Sequence, residues 1–325
     1  MSLESIIKIV RALLVLTLAA SSSYAQGLPD WAYGFETPPV GPPASARKHD
    51  DQPRHLPGSD LTFSAKQIND PFGPPDWFPN DHPKMPDIVA NGRRPAILAC
   101  ALCHYPNGKG RPENASVVGF PREYFLQQMR DFRSGNRHSA DPRKRNTNVM
   151  VALAKAMTDE ELDAAAAYFS SMKWTPWIKV VETKSVPKMY TEVGMFLPLP
   201  GNEKEPLRDR IIETPVDPEL TELRDFRSGF IAYAPLGSVR KGEALVAKES
   251  ATTTPCAICH GDGLKGLGPV PGIAGRSPSY LVRQLYDMQQ GTRKGLWSDL
   301  MKPVVAKLSE DDMLNIAAYV ASQNP

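Results

Sequence analysis

Two short strings hold the residues best able to do chemistry: CALCH at Cys100–His104 and CAICH at Cys256–His260. Together they use all four cysteines of the 325-residue chain. A Cys-x-x-Cys pair followed by His suits three chemistries. It can be half of a four-ligand zinc site, a thiol–disulfide redox pair, or an anchor whose two thiols form thioethers with one haem while the His binds its iron. Zinc would require the two pairs, 156 residues apart, to meet at one metal. A thioredoxin-like pair belongs between a strand and a helix in an alternating chain, and it leaves the His without a task. The haem reading uses every residue of both motifs. The expectation is therefore two covalently bound c-type haems, held by Cys100, Cys103, Cys256 and Cys259, with His104 and His260 on the irons.

The strings around the motifs repeat. YFLQQMRDFRSGNR (Tyr124–Arg137) matches YLVRQLYDMQQGTR (Tyr280–Arg293), and each Tyr lies 20 residues beyond its His. MVALAKAMTDEELDAAAAYF (Met150–Phe169) matches MKPVVAKLSEDDMLNIAAYV (Met301–Val320), and each Tyr lies 18 beyond its Met. Five extra residues between Arg137 and Met150 are the only difference in length from motif to final Tyr. The pattern indicates a duplication. Leu126 and Met129, like Leu281 and Leu285, fall at helical spacing. Thr158 and Ser309 read as N-caps, with Glu161 and Asp312 three residues on. The segment Gly237–Ser250 suits a helix leading into the second motif. Met85–Ala99 holds the matching place in the first, where Pro95 interrupts it. A second copy of RDFRSG, at Arg224–Gly229, precedes its motif instead of following it, and reads as coincidence.

The expected organisation has five parts. Residues 1–25 read as a cleaved signal peptide: Lys8 and Arg11 precede the apolar run Ala12–Ala20, with Ser23 and Ala25 at the cut. Export to a periplasm follows, and the run is too short to span hydrocarbon. Without the leader, 36 basic and 35 acidic side chains remain, a balance that gives no support for a nucleic-acid partner. Residues 26–84 form a Pro- and aromatic-rich extended arm; the stretch to Pro86 holds 13 of the 32 prolines, which exclude long helices and central strands. Helical units follow at 85–173 and 235–325. The connector, 174–234, is irregular, with short strands at Ile178–Val186 and Arg210–Val216 that could pair as a hairpin.

Met150 and Met301 occupy equivalent places before the last helix of each unit and are the candidate sixth iron ligands, by analogy with Met/His cytochromes. His138 competes with Met150. Arg137 and Arg293, also equivalent, are candidate partners for haem propionates. Of the other basic residues near the motifs, Lys109, Arg111, Arg122, Arg130, Lys265, Arg276, Arg283 and Lys294 read as solvated surface.

In these motifs, the Tyr-containing helix, the distal Met and the closing Ala-Ala-Tyr helix, the chain resembles soluble dihaem class I c-type cytochromes over 85–173 and 235–325. The resemblance implies a mainly α fold of two tandem class I cytochrome c-like domains. It also implies a proline carbonyl on the proximal His, a role that falls to Pro271 in the second unit, with Ala115 opposite it in the first. It further implies a Gly packed on an aromatic between first and last helices, as Gly242 with Tyr319 and Gly92 with Tyr168. The implied function is electron carriage between redox proteins (a quinol-oxidising complex, a dehydrogenase or a terminal oxidase) by a protein that is not an enzyme and does not span the membrane. The alternatives are an electron-transfer subunit of a dehydrogenase complex and a dihaem oxidoreductase with an open iron site.

Overall fold

The computed structural model describes residues 29–35, 51–192, 194–248 and 253–325. The leader read at 1–25 and its cleavage site lie outside these residues. No helix among those described is long and apolar enough to cross a membrane.

Each repeat unit is built from short helices around its motif. The first has helices at Asp87–Ala90, Cys100–His104, Arg122–Ser134, Arg145–Ala156 and Asp159–Ser170; the second has them at Ser238–Ala247, Ala257–His260, Pro278–Gln289, Lys302–Val305 and Glu310–Ser322. The last helix of each begins on the capping box read from the sequence. Thr158 accepts from the Glu161 N–H while the Glu161 side chain takes the Thr158 N–H, and Ser309 and Asp312 do the same. Met313, Ile316, Ala317 and Val320 then recur at the spacing of a single helix face and are buried in the second core. Burying each large side chain of that face contributes about 1.5–3 kcal/mol.

The first and last helices of the second unit meet backbone to backbone at Gly242. A Cβ there would lie 1.9 Å from the Asn315 carbonyl oxygen and 2.7 Å from the Tyr319 Cβ. The equivalent contact expected of Gly92 with Tyr168 does not form. Gly92 follows a helix of a single turn, adopts φ 64°, and packs toward the Ile97 carbonyl. Its left-handed backbone closes the turn at Asp87–Ala90, which Pro95 could not have continued. Tyr168 instead donates its hydroxyl to the Pro106 carbonyl at 2.7 Å and meets His82 Nδ1 at 3.0 Å.

In the connector, the two expected strands form but do not pair with each other. Phe230–Ala234 lies between them, parallel to Ile178–Glu182 and antiparallel to Ile212–Pro215. Phe230–Ala234 falls in the part of the connector expected to be irregular. Separate hairpin-like pairs join Met189–Glu192 to Met195–Pro198 and Ser185–Pro187 to Lys204–Pro206. The sheet is pinned to the second unit by Ala232 and Ala234, which pack with Leu314 and Ala318 of the last helix. From the same sheet, buried Glu213 reaches the start of Pro278–Gln289. One carboxylate oxygen accepts from Ser277 Oγ (2.8 Å), from the Ser279 N–H (2.9 Å) and from the Ser279 hydroxyl.

The arm reaches both units: Ala32 and Tyr33 pack into the core of the second, and the stretch from Leu56 to Phe78 lies over the motif of the first. Its described parts add a small antiparallel pair, Pro53–His55 with Thr62–Ser64, and one-turn helices at Asp30–Tyr33 and Ala65–Ile68. Trp77 and Phe78 bury themselves with Tyr105, Trp177, Phe226 and Phe230, so arm, motif and connector share one apolar cluster.

Two outcomes test this packing. Gly242→Ala should cost about 3 kcal/mol, because neither backbone can withdraw; denaturant unfolding would measure it. Glu213→Ala should cost about 1–3 kcal/mol for donors left without an acceptor. Burial holds the Glu213 carboxyl above its ordinary 4.5, so the folded chain binds that proton more tightly than the unfolded chain does. The residue's contribution is therefore full below pH 4.5 and declines as pH rises from there through the folded value. Relative to the pH-insensitive Glu213→Gln, the wild type should lose stability as pH rises through that window.

Candidate haem-binding sites

The two motif helices put each His one turn past its first Cys, at the base of its unit. His104 is buried, and its Nδ1 lies 2.8 Å from the Ala115 carbonyl. His260 Nδ1 lies 2.8 Å from the Pro271 carbonyl. A carbonyl can only accept, so in both rings Nδ1 carries the proton and Nε2 keeps its lone pair. Burial also holds both imidazoles below their ordinary 6.5. The result is two neutral, oriented imidazoles, which is the form that binds iron. The carbonyl expected of Pro271 is present. Ala115, eleven residues after its His as Pro271 is after His260, supplies the same bond without a proline.

None of the four cysteines is paired in a disulfide. Burial pushes Cys100 up to about 12 and Cys256 up to about 11, and raises Cys103 as well. These are apolar thiols, unlike the thiolates of a zinc site or a redox pair. Among the described residues no three or more His, Cys, Asp or Glu side chains gather as a metal cluster, so the two motifs do not meet at one ion.

In the first unit Cys100, Cys103 and His104 open onto a cavity of about 320 Å³ whose walls also include Phe125, Met150 and Leu153. Met150 sits within the helix Arg145–Ala156, and His138 also lines this cavity. His138 is an exposed residue whose Nδ1 meets the Ser139 carbonyl at 3.1 Å. In the second unit Met301 is half-buried against the core formed by the last helix. Cys259 there is exposed, as is Ile258 (64 %) between the cysteines.

The donors between the units fit a group with acidic tails. Arg137 and Arg293, on adjoining backbone, are both buried. Arg137 donates to Gln128 Oε1 and Gln284 Oε1 at 3.0 Å each and to the Tyr280 hydroxyl at 3.3 Å. Arg293 donates to Gln284 (2.9 Å), Gln128 (2.9 Å) and the Tyr124 hydroxyl (2.7 Å). Tyr124, Gln128 and Arg137 are the repeat equivalents of Tyr280, Gln284 and Arg293, so the network is a two-fold exchange across the joint between the units. Among the described residues no carboxylate is bonded to either guanidinium. Arg293 Nε and Gln128 Nε2 are buried donors without a partner. Orphaned donors beside an apolar cavity that Arg137 lines suit the carboxylates of an otherwise hydrophobic ring.

Several residues read as solvated surface are not. Arg276 and Arg283 are buried along with Arg137 and Arg293. Arg276 lies between the Phe120 and Trp174 rings (4.2 and 4.4 Å) and, with no acid bonded to it, is pushed down to about 10 by burial. Arg111 donates to the Tyr105 hydroxyl at 2.8 Å and to the Thr221 carbonyl at 3.2 Å. Lys265, Lys294, Arg122 and Arg130 are exposed as expected. The second RDFRSG string, read as coincidence, also has a task. Arg224 donates to the Leu102 carbonyl inside the first motif at 2.6 Å and to the Ile68 carbonyl of the arm at 2.7 Å. The repeated string was the one available signal for it.

Comparison with known proteins agrees with this geometry. The family model for Cytochrome c matches residues 89–173. Cytochrome c-554(548) of Halomonas halodenitrificans is 37% identical over 83 residues, covering 25% of this chain and 98% of its own length. The thiosulfate dehydrogenase electron acceptor of Stutzerimonas stutzeri is 28% identical over 238 residues, 71% of this chain and 82% of that one. Cytochrome c4 of Azotobacter vinelandii is 25% identical over 241 residues, 72% of this chain and 88% of that one. With its two motifs, two oriented imidazoles and a relative matched along nearly its whole length, the chain belongs to the cytochrome c family, as a dihaem electron-transfer protein whose cofactors are two covalently bound c-type haems.

Proposed function

We propose that this chain is an exported carrier that moves electrons between periplasmic redox proteins. Cys100, Cys103 and His104 hold the first haem, with Met150 as its sixth ligand. Cys256, Cys259, His260 and Met301 do the same for the second. Arg137 and Arg293 face the propionates. Each haem, when bound, supplies one-electron exchange between ferric and ferrous iron. The protein's part would be to keep His104 and His260 neutral and to offer thioether ligands from Met150 and Met301 within apolar surroundings. The observation that carries the reading is the first cavity, where Cys100, Cys103, His104 and Met150 converge within one apolar wall. Met150 is preferred to His138 because His138 is an exposed residue on a loop, whereas Met150 is half-buried on a helix. The leader read at 1–25 supports export.

The donor we infer is a periplasmic dehydrogenase. The relative from Stutzerimonas stutzeri is named as an electron acceptor of thiosulfate dehydrogenase and aligns over 71% of this chain. The arm and connector, which cover the first motif, give such an enzyme surface beyond two minimal haem units.

A redox titration with optical detection should give two one-electron waves and low-spin spectra that carbon monoxide leaves unchanged. Ready binding of carbon monoxide would overturn the six-coordinate reading at one or both irons. Met301→His should lower one of the two potentials and leave the other in place, since a thioether favours the ferrous state more than an imidazole does; an unmoved pair of waves would remove Met301 as a ligand.

A further inference from the structure

The two proximal carbonyls are fixed by different means. In the second unit the acceptor belongs to Pro271, whose ring fixes φ and which is paired to Gly266 in the short ladder Gly266–Leu267 with Val270–Pro271. In the first unit the acceptor is Ala115, with no ring to hold it. Three carbonyls of the same loop are gripped from the other unit instead. Arg276 Nη1 donates to Ser116 O at 2.9 Å and Nη2 to Val118 O at 3.0 Å. Arg283 Nη2 donates to Pro112 O at 2.8 Å. Ala115 lies between these points. Both arginines are buried, so water offers these bonds little competition.

The arginine grip acts in one direction; the matching loop of the second unit receives a single bond from the connector, Trp174 Nε1 to the Ala274 carbonyl at 2.8 Å. Counted back four residues from Tyr124 and Tyr280, the repeat equivalent of Arg276 is Phe120, which donates nothing and serves as the ring on which Arg276 stacks. The equivalent of Arg283 is Gln127, which bonds Asp131 in its own helix. Arg276 Nε also touches its own unit at Gly272 O, but at 3.3 Å and next to a carbonyl the proline already fixes.

We propose that Arg276 and Arg283 are positioning residues for the first haem: by holding the loop 112–118 from the second unit, they fix the Ala115 carbonyl on His104 Nδ1 and so tune the iron that His104 binds. The inference rests on the haem reading above. A well-held Nδ1–H···O=C bond makes the imidazole a stronger donor and favours ferric iron. Loosening it should raise the first haem's potential. Arginine to lysine keeps the charge, so a shift cannot be assigned to a lost cation, while the two-pronged grip is removed.

The experiment is a redox titration of the full-length dihaem protein carrying Arg276→Lys. One of the two waves should move to higher potential, by about tenfold in the reduced-to-oxidised ratio at fixed poise, the lower end of what loss of an outer partner does at a metal site. The other wave should stay. Adding Ala115→Pro, which alters only the first carbonyl's support, should return the moved wave toward its original place and so assign it to the first haem. Arg283→Lys is made in parallel and should move the same wave, so a variant that does not accumulate still leaves a reading. Waves that stay in place, waves that move together, or a shift that Ala115→Pro does not reverse would each overturn the proposal. A wild-type protein without two one-electron waves would instead overturn the haem reading beneath it.

Discussion

A guanidinium keeps its proton at any pH the protein meets and carries five N–H donors, so burying one forces the surrounding chain to supply acceptors. This protein buries at least five: Arg137, Arg224, Arg276, Arg283 and Arg293. Among the described contacts, these arginines donate to backbone carbonyls, glutamine oxygens and tyrosine hydroxyls. Those acceptors belong to different segments: Ile68 and Ala32 from the arm, Leu102, Pro112, Ser116 and Val118 from the first unit, Gln284 and Tyr280 from the second. A two-unit chain with an arm and a connector becomes one body because each of these cations would otherwise be left partly unsolvated. Apolar burial contributes the larger free energy, but it does not dictate which loop meets which helix. The arginines do.

The asymmetry between the units follows from the same arrangement. The first motif is enclosed. Tyr105, directly after His104, takes a left-handed backbone (φ 62°) where the second unit has Gly261, and its ring enters the cluster made by Trp77, Trp177 and Phe226. Arg224 closes over Leu102 from the connector. Among the described residues nothing comparable covers the second motif, where Cys259 and Ile258 are exposed. A strained tyrosine is tolerable at the first site because its burial and its bond to Arg111 offset the backbone cost, about 1–3 kcal/mol for such a residue.

Much of this was legible in the sequence, and the legible part was local. The motifs, the duplication, the capping boxes at Thr158 and Ser309 and the neutral proximal histidines all depend on residues close in the chain. The misreadings were non-local. Charged residues near the motifs were read as surface because nothing in a linear string tells that Arg276 will meet Phe120, Trp174 and two carbonyls of another unit. The connector strands at Ile178–Glu182 and Ile212–Pro215 are recognisable by composition, but Phe230–Ala234, which comes after both and pairs with each, separates them in the sheet. Gly92 shows the limit of arguing by repeat: one proline nearby converted a helix-packing glycine into a turn.

Phe120 and Arg276 occupy one place in the repeat and touch each other. The halves of this molecule have therefore stopped being copies in the one respect that holds them together. Two first units joined in tandem would stack phenyl on phenyl and leave the loop after the motif ungripped. Two second units would bring like charges face to face. Only the mixed order satisfies both sides. A duplication that began with interchangeable parts has become, through one aromatic–cation pair, a heterodimer written on a single chain, with a first half and a second half that cannot trade places.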